Sequence, residues 1–403
     1  MPTNVLHVFL NDVQVGILSR NTDDSCEFKL LDSYKTLYPR PVLGQRFLDD
    51  LDRVWRVRSR VPDWFSNLLP EGALRALVAR QAEVRPEREF FLLCHLGQDL
   101  PGAVRLFPEQ AELQLADEGA TDESTMTEGD TDWHFSLAGV QLKFSAQQGG
   151  RGLTIPVTGQ GGDWIIKLPD SRYAGVPENE FATMQWAHES GIEVPETKLL
   201  SIDDISGLPP QALALRERQV YAIRRFDRQD DGRRVHMEDF AQILGLYPEA
   251  KYKQFNYETI ANVVKVLTGE DGLRDFIRRL VFVIASGNGD AHHKNWSLIY
   301  PDGVSTRLSP AYDLVSTIQY MEGDQLALNL GGSKRWQDVS MATFTRMARK
   351  LKLPENLIEP WVEEAVEAIL STWSCSKVEY GYPSAAVERI ERHIAQVPLF
   401  KRP

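Results

Sequence analysis

The stretch Gly289-Asp290-Ala291-His292-His293-Lys294-Asn295 decides how this chain is read. Just upstream, Phe276, Ile277, Leu280, Val281, Ile284 and Ala285 recur at helical spacing and define one apolar face. Ser286-Gly287-Asn288-Gly289 ends that helix. Just downstream, Trp296–Tyr300 and Val304–Leu308 read as a hairpin around Pro301-Asp302-Gly303. Asp290 and Asn295 therefore lie in an irregular loop between a buried helix and a hairpin. Only from such a loop can an Asp and an Asn so spaced point into one site.

The spacing is that of a protein-kinase catalytic loop, in which the Asp accepts or orients the substrate hydroxyl and the Asn holds Mg²⁺. By itself D-x₄-N is a weak signal. A second Asp, Asp313 in Ser309-Pro310-Ala311-Tyr312-Asp313, follows the hairpin where kinases place a metal-binding Asp. Mg²⁺ takes oxygen ligands, which an Asp, an Asn and phosphate groups supply. The competing reading of Asp313 is a helix N-cap for Leu314–Tyr320. Lys167 ends the apolar run Trp164-Ile165-Ile166-Lys167. A buried lysine there needs an anion: nucleotide phosphates, or a carboxylate from the next helix. Glu180 is the expected partner and Glu178 its near competitor, while a snorkelling edge lysine is the bland alternative. In Ser136-Leu137-Ala138-Gly139-Val140-Gln141-Leu142-Lys143, small residues allow backbone N–H groups to approach a phosphate, or the segment simply begins a strand.

Outward from the loop, the chain divides. Residues 1–115 read as a small α+β unit that starts with a hairpin, Val5–Leu10 turning at Asn11-Asp12 into Val13–Leu18, and carries a helix over Pro70–Gln81. Residues 116–132 have linker composition: Asp117–Asp132 holds seven acidic residues and no basic one. Residues 133–235 are strand-rich, with strands expected over Val140–Ala146, Leu153–Val157, Trp164–Leu168, Val194–Leu200 and Val220–Phe226. A helix opens at Pro177-Glu178 and closes at Gly191. Residues 236–403 read as mostly helical, with late helices near Met341–Leu351, Ile358–Thr372 and Ala385–Gln396. A strand-rich lobe followed by a helical one leaves a cleft, a preferred ligand site.

Composition narrows the function. The 403 residues are 42% hydrophobic and 25% charged, which excludes disorder as the main state. A net charge of −12 argues against a chain whose main task is gripping a phosphate backbone. Cys26, Cys94 and Cys375 are scattered and odd in number, which fits a reducing compartment. No signal-peptide pattern and no span of membrane length are read, so a cytoplasmic protein without a membrane partner is expected. Walker A, GxGxxG, HExxH and G-x-S-x-G motifs are all missing from the sequence. Asp290-Ala291-His292 could open a dinuclear phosphoesterase site, but the later Gly-Asn-His-Asp/Glu box is missing. The basic cluster Arg224, Arg225, Arg228, Arg233 and Arg234 is expected to be a solvated strand end rather than a nucleic-acid patch.

Taken together, these segments resemble the HipA family of toxin serine/threonine kinases over nearly the whole chain. Asp63-Trp64-Phe65-Ser66-Asn67-Leu68-Leu69-Pro70-Glu71-Gly72 and Gly97-Gln98-Asp99-Leu100-Pro101-Gly102 resemble the two signature boxes of its N-terminal subdomain. Ser136–Lys143 resembles its phosphate loop, Trp164–Pro169 its ATP-lysine strand, and Glu178–Phe181 the helix after it. Arg225-Phe226-Asp227-Arg228 resembles its hinge strand, Gly289–Asn295 its catalytic loop, and Tyr312-Asp313 its metal-binding Asp. Two positions depart: Ala291 stands where the family usually has Gly, and Leu142 where it has Glu.

The resemblance implies an α+β fold, a two-lobed protein-kinase-like core with a small N-terminal α+β subdomain. It implies ATP and Mg²⁺ as cofactors. Asp290 would be the base or orienting group, with His292 assisting in its loop and Lys167 holding the phosphates, paired to Glu180. Asn295 and Asp313 would bind the metal. Ala138, Gly139, Val140, Gln141, Lys143, Arg225, Phe226 and Asp227 would surround the nucleotide, and Ser136 would be autophosphorylated. It further implies a helix-turn-helix, HipB-like antitoxin as partner, DNA contact mainly through that antitoxin, and a protein substrate such as an aminoacyl-tRNA synthetase. Two alternatives stand beside it: an ATP-binding corepressor without transfer, and an AMP transferase on the same fold.

Overall fold

The computed structural model describes residues 4–109, 142–149, 152–155, 161–170, 172–208, 212 and 215–401. Ser136, Ala138, Gly139, Val140, Gln141 and the acidic linker lie outside them.

The first sheet grows from the opening hairpin. Strand β1 (Val5–Leu10) alternates buried Leu6, Val8 and Leu10 with half-buried Val5, His7 and Phe9, the pattern of a strand with one core face. It pairs antiparallel with β2 (Val13–Arg20) across Asn11, whose φ of +52° an asparagine tolerates in a tight turn. With β3 (Ser25–Leu30), β4 (Trp55–Arg58) and β5 (Val104–Pro108) the order is β4-β3-β2-β1-β5. Phe28, Phe47, Trp64 and Phe65 pack edge-on or tilted against this sheet with ring centroids 4.8–6.4 Å apart. Helices α1 (Gly72–Gln81) and α2 (Glu89–Leu96) complete the unit.

A second, six-stranded sheet has the order β10-β7-β6-β8-β11-β9. Its strands are β6 (Lys143–Gly149), β7 (Gly152–Thr154), β8 (Trp164–Lys167), β9 (Thr197–Ser201), β10 (Ile205–Ser206) and β11 (Gln219–Arg224). Central β8 pairs antiparallel with both β6 and β11, placing Lys167 level with Lys143 on one side and Tyr221 on the other. Helix α3 (Val176–Glu189) crosses this sheet; Pro177 sits in its first turn, where a missing N–H costs nothing. The expected strand over Val220–Phe226 stops at Arg224, since Arg225 and Phe226 leave the ladder.

The expectation of a mostly helical chain from residue 236 needs one correction. His236–Asp239 forms strand β12, which pairs antiparallel with β13 (Ser297–Tyr300), itself paired with β14 (Arg307–Leu308). His-Met-Glu-Asp reads as polar, yet His236, Glu238 and Asp239 are all buried. Tertiary partners settle it: Glu238 accepts from Trp64 Nε1 at 2.8 Å, Tyr300 OH at 2.6 Å and Gln45 N at 3.0 Å. These are neutral donors, and burial pushes the Glu238 carboxyl up to about 7.

Helix α4 (Tyr257–Ser286) is interrupted at Gly269 and buries Phe276, Ile277, Leu280, Val281, Ile284 and Ala285 completely. It ends at Gly287 in the left-handed conformation, with its N–H returned to the helix carbonyls. A Cβ on Gly287 would lie 2.5 Å from Ile318 Cδ1, so glycine is needed for space as well as for φ. Around α4 pack α5 (Met341–Lys350), α6 (Glu355–Ser376) and α7 (Ser384–Gln396). Among the described residues no helix is long and apolar enough to cross a membrane.

Candidate active site

Five separate elements bring their functional side chains to one cleft. Strand β8 ends in Lys167, which is 5% exposed. Its Nζ donates to Glu180 Oε1 from α3 and to Asp313 Oδ1 from the segment after β14. Glu178 does not reach it; one of its oxygens is buried without a partner. Asn295, at the end of the loop after α4, donates from Nδ2 to Asp313 Oδ2 at 2.9 Å. Lys143 of β6 places its Nζ 3.7 Å from Asp313 Oδ1. Lys167, Glu180, Asn295, Asp313 and Lys143 are thus a single constellation, spread over 170 positions of sequence (143 to 313).

The charges are uneven. One ammonium serves two carboxylates. Burial alone would raise the Asp313 carboxyl, but Lys143 and Lys167 together hold it far below the ordinary carboxylate range. Glu180, fully buried, is pushed up by burial against the pull of Lys167. Lys167 itself stays charged: burial would lower it, and Asp313 and Glu180 more than offset that. Asp313 also adopts φ +59°, uncommon for a residue other than glycine. Leu314–Tyr320 forms no α-helix, only a short 3₁₀ turn over Thr317–Gln319 that starts at Ser316, so Asp313 is not a helix cap.

Asp290 sits on the same loop and keeps solvent access at its side chain. The surrounding protein nonetheless pushes its carboxyl up. Its Oδ1 accepts from the Tyr252 hydroxyl. His292 is buried, and that burial drives its imidazole down to about 3, so it is neutral at physiological pH. The loop is held by bonds invisible in its own sequence. The Ala291 carbonyl takes Tyr257 OH at 3.0 Å and Trp296 Nε1 at 3.2 Å, and His293 Nδ1 lies 2.6 Å from the Lys251 carbonyl.

Several buried polar atoms of the cleft have no hydrogen-bond partner among the described residues: Asn295 Oδ1, Glu180 Oε2 and His292 Nδ1. Unsatisfied buried groups are costly unless a ligand answers them. Asn295 Oδ1 and the Asp313 carboxylate offer oxygen donors suited to Mg²⁺, which takes few protein ligands and completes its shell with water and phosphate. Among the described residues no group of three or more His, Cys, Asp and Glu could hold a metal. The donor set thus fits a metal that arrives with a phosphate ligand, not a resident cage.

The hinge segment differs from expectation. Arg225 and Asp227 lie beside the cleft, but their side chains are engaged with the N-terminal unit. Arg225 contacts Asp227 at 2.9 Å and Asp99 at 3.3 Å; Arg228 contacts Asp227 at 2.9 Å and Asp99 at 3.0 Å. The Gly102 N–H donates to Asp227 at 2.8 Å. Arg225 and Arg228 are therefore not part of a solvated cluster. Phe226 is half-buried and lies against Tyr312, with ring centroids 5.6 Å apart.

The first N-terminal box has a role the sequence did not disclose. Glu71 bridges Lys251 at 2.9 Å and Lys294 at 2.8 Å, and Lys294 also donates to the Asn67 carbonyl at 3.2 Å. Asn67 in turn donates to the Leu246 carbonyl at 2.7 Å. The segment 63–72 thus grips the catalytic-type loop and its neighbour. Glu71 and Asp99 lie in the two signature boxes, whose residues gave no hint of these contacts, and Tyr252 is a site-shaping residue that no local motif marks.

A lysine-bearing strand answered by a helix glutamate, an Asp-x₄-Asn loop and a second Asp beneath them define a two-lobed, kinase-like α+β protein. Residues 135–373 match the HipA-like C-terminal domain and residues 6–107 the HipA N-terminal domain. The chain belongs to the HipA family. It is 43% identical to Y4dM of Sinorhizobium fredii, which its name provisionally calls a kinase, over 98% of both chains. It is 26% identical to the serine/threonine-protein kinase toxin HipA of Shewanella oneidensis, over 72% of this chain and 71% of that one. In fold it matches a chain from the solved complex of Shewanella oneidensis HipA, HipB and operator DNA, with a TM-score of 0.71 at 20% identity, covering 97% of this chain and 98% of that chain. Kinase activity is the activity that the relatives' names carry.

Proposed function

We propose that this chain is an ATP- and Mg²⁺-dependent serine/threonine protein kinase. One observation carries the reading: Lys167 spans Glu180 and Asp313, Asn295 holds the other Asp313 oxygen, and Asn295 Oδ1 is left buried without a partner. Lys167 would hold the nucleotide phosphates, and Glu180 would keep that lysine charged and aimed. Asn295 and Asp313 would hold Mg²⁺, which when bound neutralises phosphate charge. Asp290 would orient the acceptor hydroxyl and take its proton. Neutral His292 would pack under Asp290 and fix the loop rather than act as an acid. Lys143 would add positive charge at the cleft mouth. Catalysis would rest on positioning and on charge already in place.

Arg225 and Asp227 would serve the nucleotide only through main chain, with Phe226 at the pocket wall. Ser136 would be an autophosphorylation site, and a phosphate there adds about −1.5 to −2 charge. A HipB-like antitoxin, and DNA through it, are the partners favoured by the family and by the net charge of −12.

The test is intact-mass spectrometry after incubation with Mg²⁺ and ATP, beside Asp290→Ala. A gain of one phosphate in the wild type alone supports the reading. ATP binding with no gain would favour a corepressor, and a gain of AMP would replace the reaction.

A further inference from the structure

Among the described residues of the cleft, Asp290 is the acidic group that another side chain already serves as an acceptor hydroxyl would. The Tyr252 hydroxyl donates to its Oδ1. The phenol ring is seated, edge-on to His292, with centroids 4.8 Å apart. Burial, with the Asp290 charge beside it, raises the phenol above its ordinary value, so it remains a donor at physiological pH.

The segment that carries Tyr252 is fixed at both ends and exposed between them. Lys251 is tied to Glu71 at 2.9 Å, and its carbonyl takes both the backbone N–H of His293, at 3.2 Å, and the ring. Asn256 caps α4, accepting from Thr259 N at 2.9 Å. Between these anchors Tyr252, Lys253 and Gln254 are exposed, Tyr252 at 40%, and Gln254 adopts φ +71°. Among the described residues, the contacts that hold the Tyr252 side chain are the hydrogen bond to Asp290, the ring contact with His292 and the Lys251 ammonium 5.7 Å from its ring centroid.

We propose that Tyr252 is a gate on the acceptor site: its hydroxyl takes the place on Asp290 that an incoming seryl or threonyl hydroxyl needs, and a protein acceptor binds by displacing it. The proposal rests on the kinase reading above. A seryl or threonyl Oγ is only two bonds from its Cα, so the acceptor main chain must enter the space the phenol ring fills; the two cannot share the carboxylate. The resting gate also occupies Oδ1 of the exposed Asp290 carboxylate, the oxygen that would otherwise orient a water, which limits futile ATP hydrolysis. Because Glu71 anchors Lys251, the N-terminal unit sets the position from which the gate swings.

The test is ATP hydrolysis with no protein acceptor, measured for the full chain as wild type, Tyr252→Phe, Tyr252→Met and Tyr252→Phe combined with Asp290→Ala, with Mg²⁺ and ATP as the only additions. Removing a hydrogen bond to a charged group should raise the hydrolytic kcat roughly tenfold in Tyr252→Phe. The KM for ATP should stay unchanged, and Tyr252→Met should behave alike. A purely structural role would not raise kcat. A kcat equal to or below wild type in both variants would overturn the gate and make Tyr252 a positioning residue for Asp290. A phosphate mapped to Tyr252 would overturn it by making the tyrosine an acceptor. Equal turnover in Tyr252→Phe and in Tyr252→Phe combined with Asp290→Ala would instead remove the kinase reading, and the gate with it.

Discussion

Two clusters of buried charge lie close together in this chain and are built differently. At the N-terminal junction, Asp99, Arg225, Asp227 and Arg228 are each 10% exposed or less, two acids against two bases, and none leaves a buried polar atom without a partner among the described residues. Burial would raise the Asp99 and Asp227 carboxyls, yet Arg225 holds both below their ordinary range. In the cleft, Lys167 serves two carboxylates, Asp313 is 29% exposed, and Asn295 Oδ1, Glu180 Oε2 and His292 Nδ1 go unanswered. A closed network of this kind fixes how two units dock. An open one stores unmet hydrogen-bonding capacity where a ligand arrives. On the proposed reading the difference separates a structural joint from a site open to a ligand, although both are arginine- or lysine-carboxylate clusters.

That contrast is open to attack by mutation. Asp290→Ala, or Asp313→Asn, should lower phosphoryl transfer by about 10²–10⁴-fold while leaving the melting temperature close to wild type. Arg225→Ala should do the reverse. It leaves Asp99 and Asp227 to share Arg228 alone in a buried site and should cost about 3 kcal/mol of stability by denaturant titration. Mg²⁺ with ATP at 100 times its dissociation constant should stabilise wild type by about 2.7 kcal/mol. The Arg225→Ala protein should keep that increment and Asp313→Asn should lose most of it. A loss of the increment in both would mean that the two clusters are one functional unit.

A third buried carboxylate tests the joint by pH. Glu238 is held among neutral donors and raised to about 7. A raised folded value means that its stabilising contribution is whole below the unfolded value near 4.5 and is lost as pH rises through about 7. Glu238→Gln has no such titration. The stability difference between wild type and Glu238→Gln should therefore shift against wild type by roughly 2–4 kcal/mol from pH 4.5 to 8. His236 and His292, lowered by burial to about 4 and 3, titrate with the opposite sign. Both are present in the two proteins and cancel. A constant difference across that range would show that Glu238 stays ionised. The smallest effect is expected at Glu71, which is 35% exposed. Glu71→Gln should cost about 0.5–1 kcal/mol, measured in the same titration.

The sequence disclosed the cleft better than the joint. Lys167, Glu180, Asn295 and Asp313 sit at the ends of strands, helices and loops whose periodicity is strong, so their convergence could be argued from order and spacing. Glu180 rather than Glu178 as partner follows from helix geometry once α3 lies across β8. The junction was opaque because its partners are far apart in sequence: Asp99 and Arg225 are separated by 126 positions. Nothing local says that an arginine-rich strand end will be buried against another unit. Strand β12 was missed for the same reason, since His236, Glu238 and Asp239 are polar residues that only tertiary partners make buriable. Tyr252 carries no motif at all. Of the phosphate-loop segment, Ser136, Ala138, Gly139, Val140 and Gln141 lie outside the described residues, so their assignment rests on the sequence, while Lys143 reaches the cleft.

The central claim is that the open cluster is built to receive nucleotide with a divalent cation. Equilibrium titration of a non-hydrolysable ATP analogue, with Mg²⁺ and with EDTA, measures that directly in wild type, Asn295→Ala and Asp313→Asn. The account predicts binding that weakens at least tenfold without Mg²⁺ in wild type and is weak under both conditions in the variants. Equal affinity in all three proteins, indifferent to Mg²⁺, would contradict it.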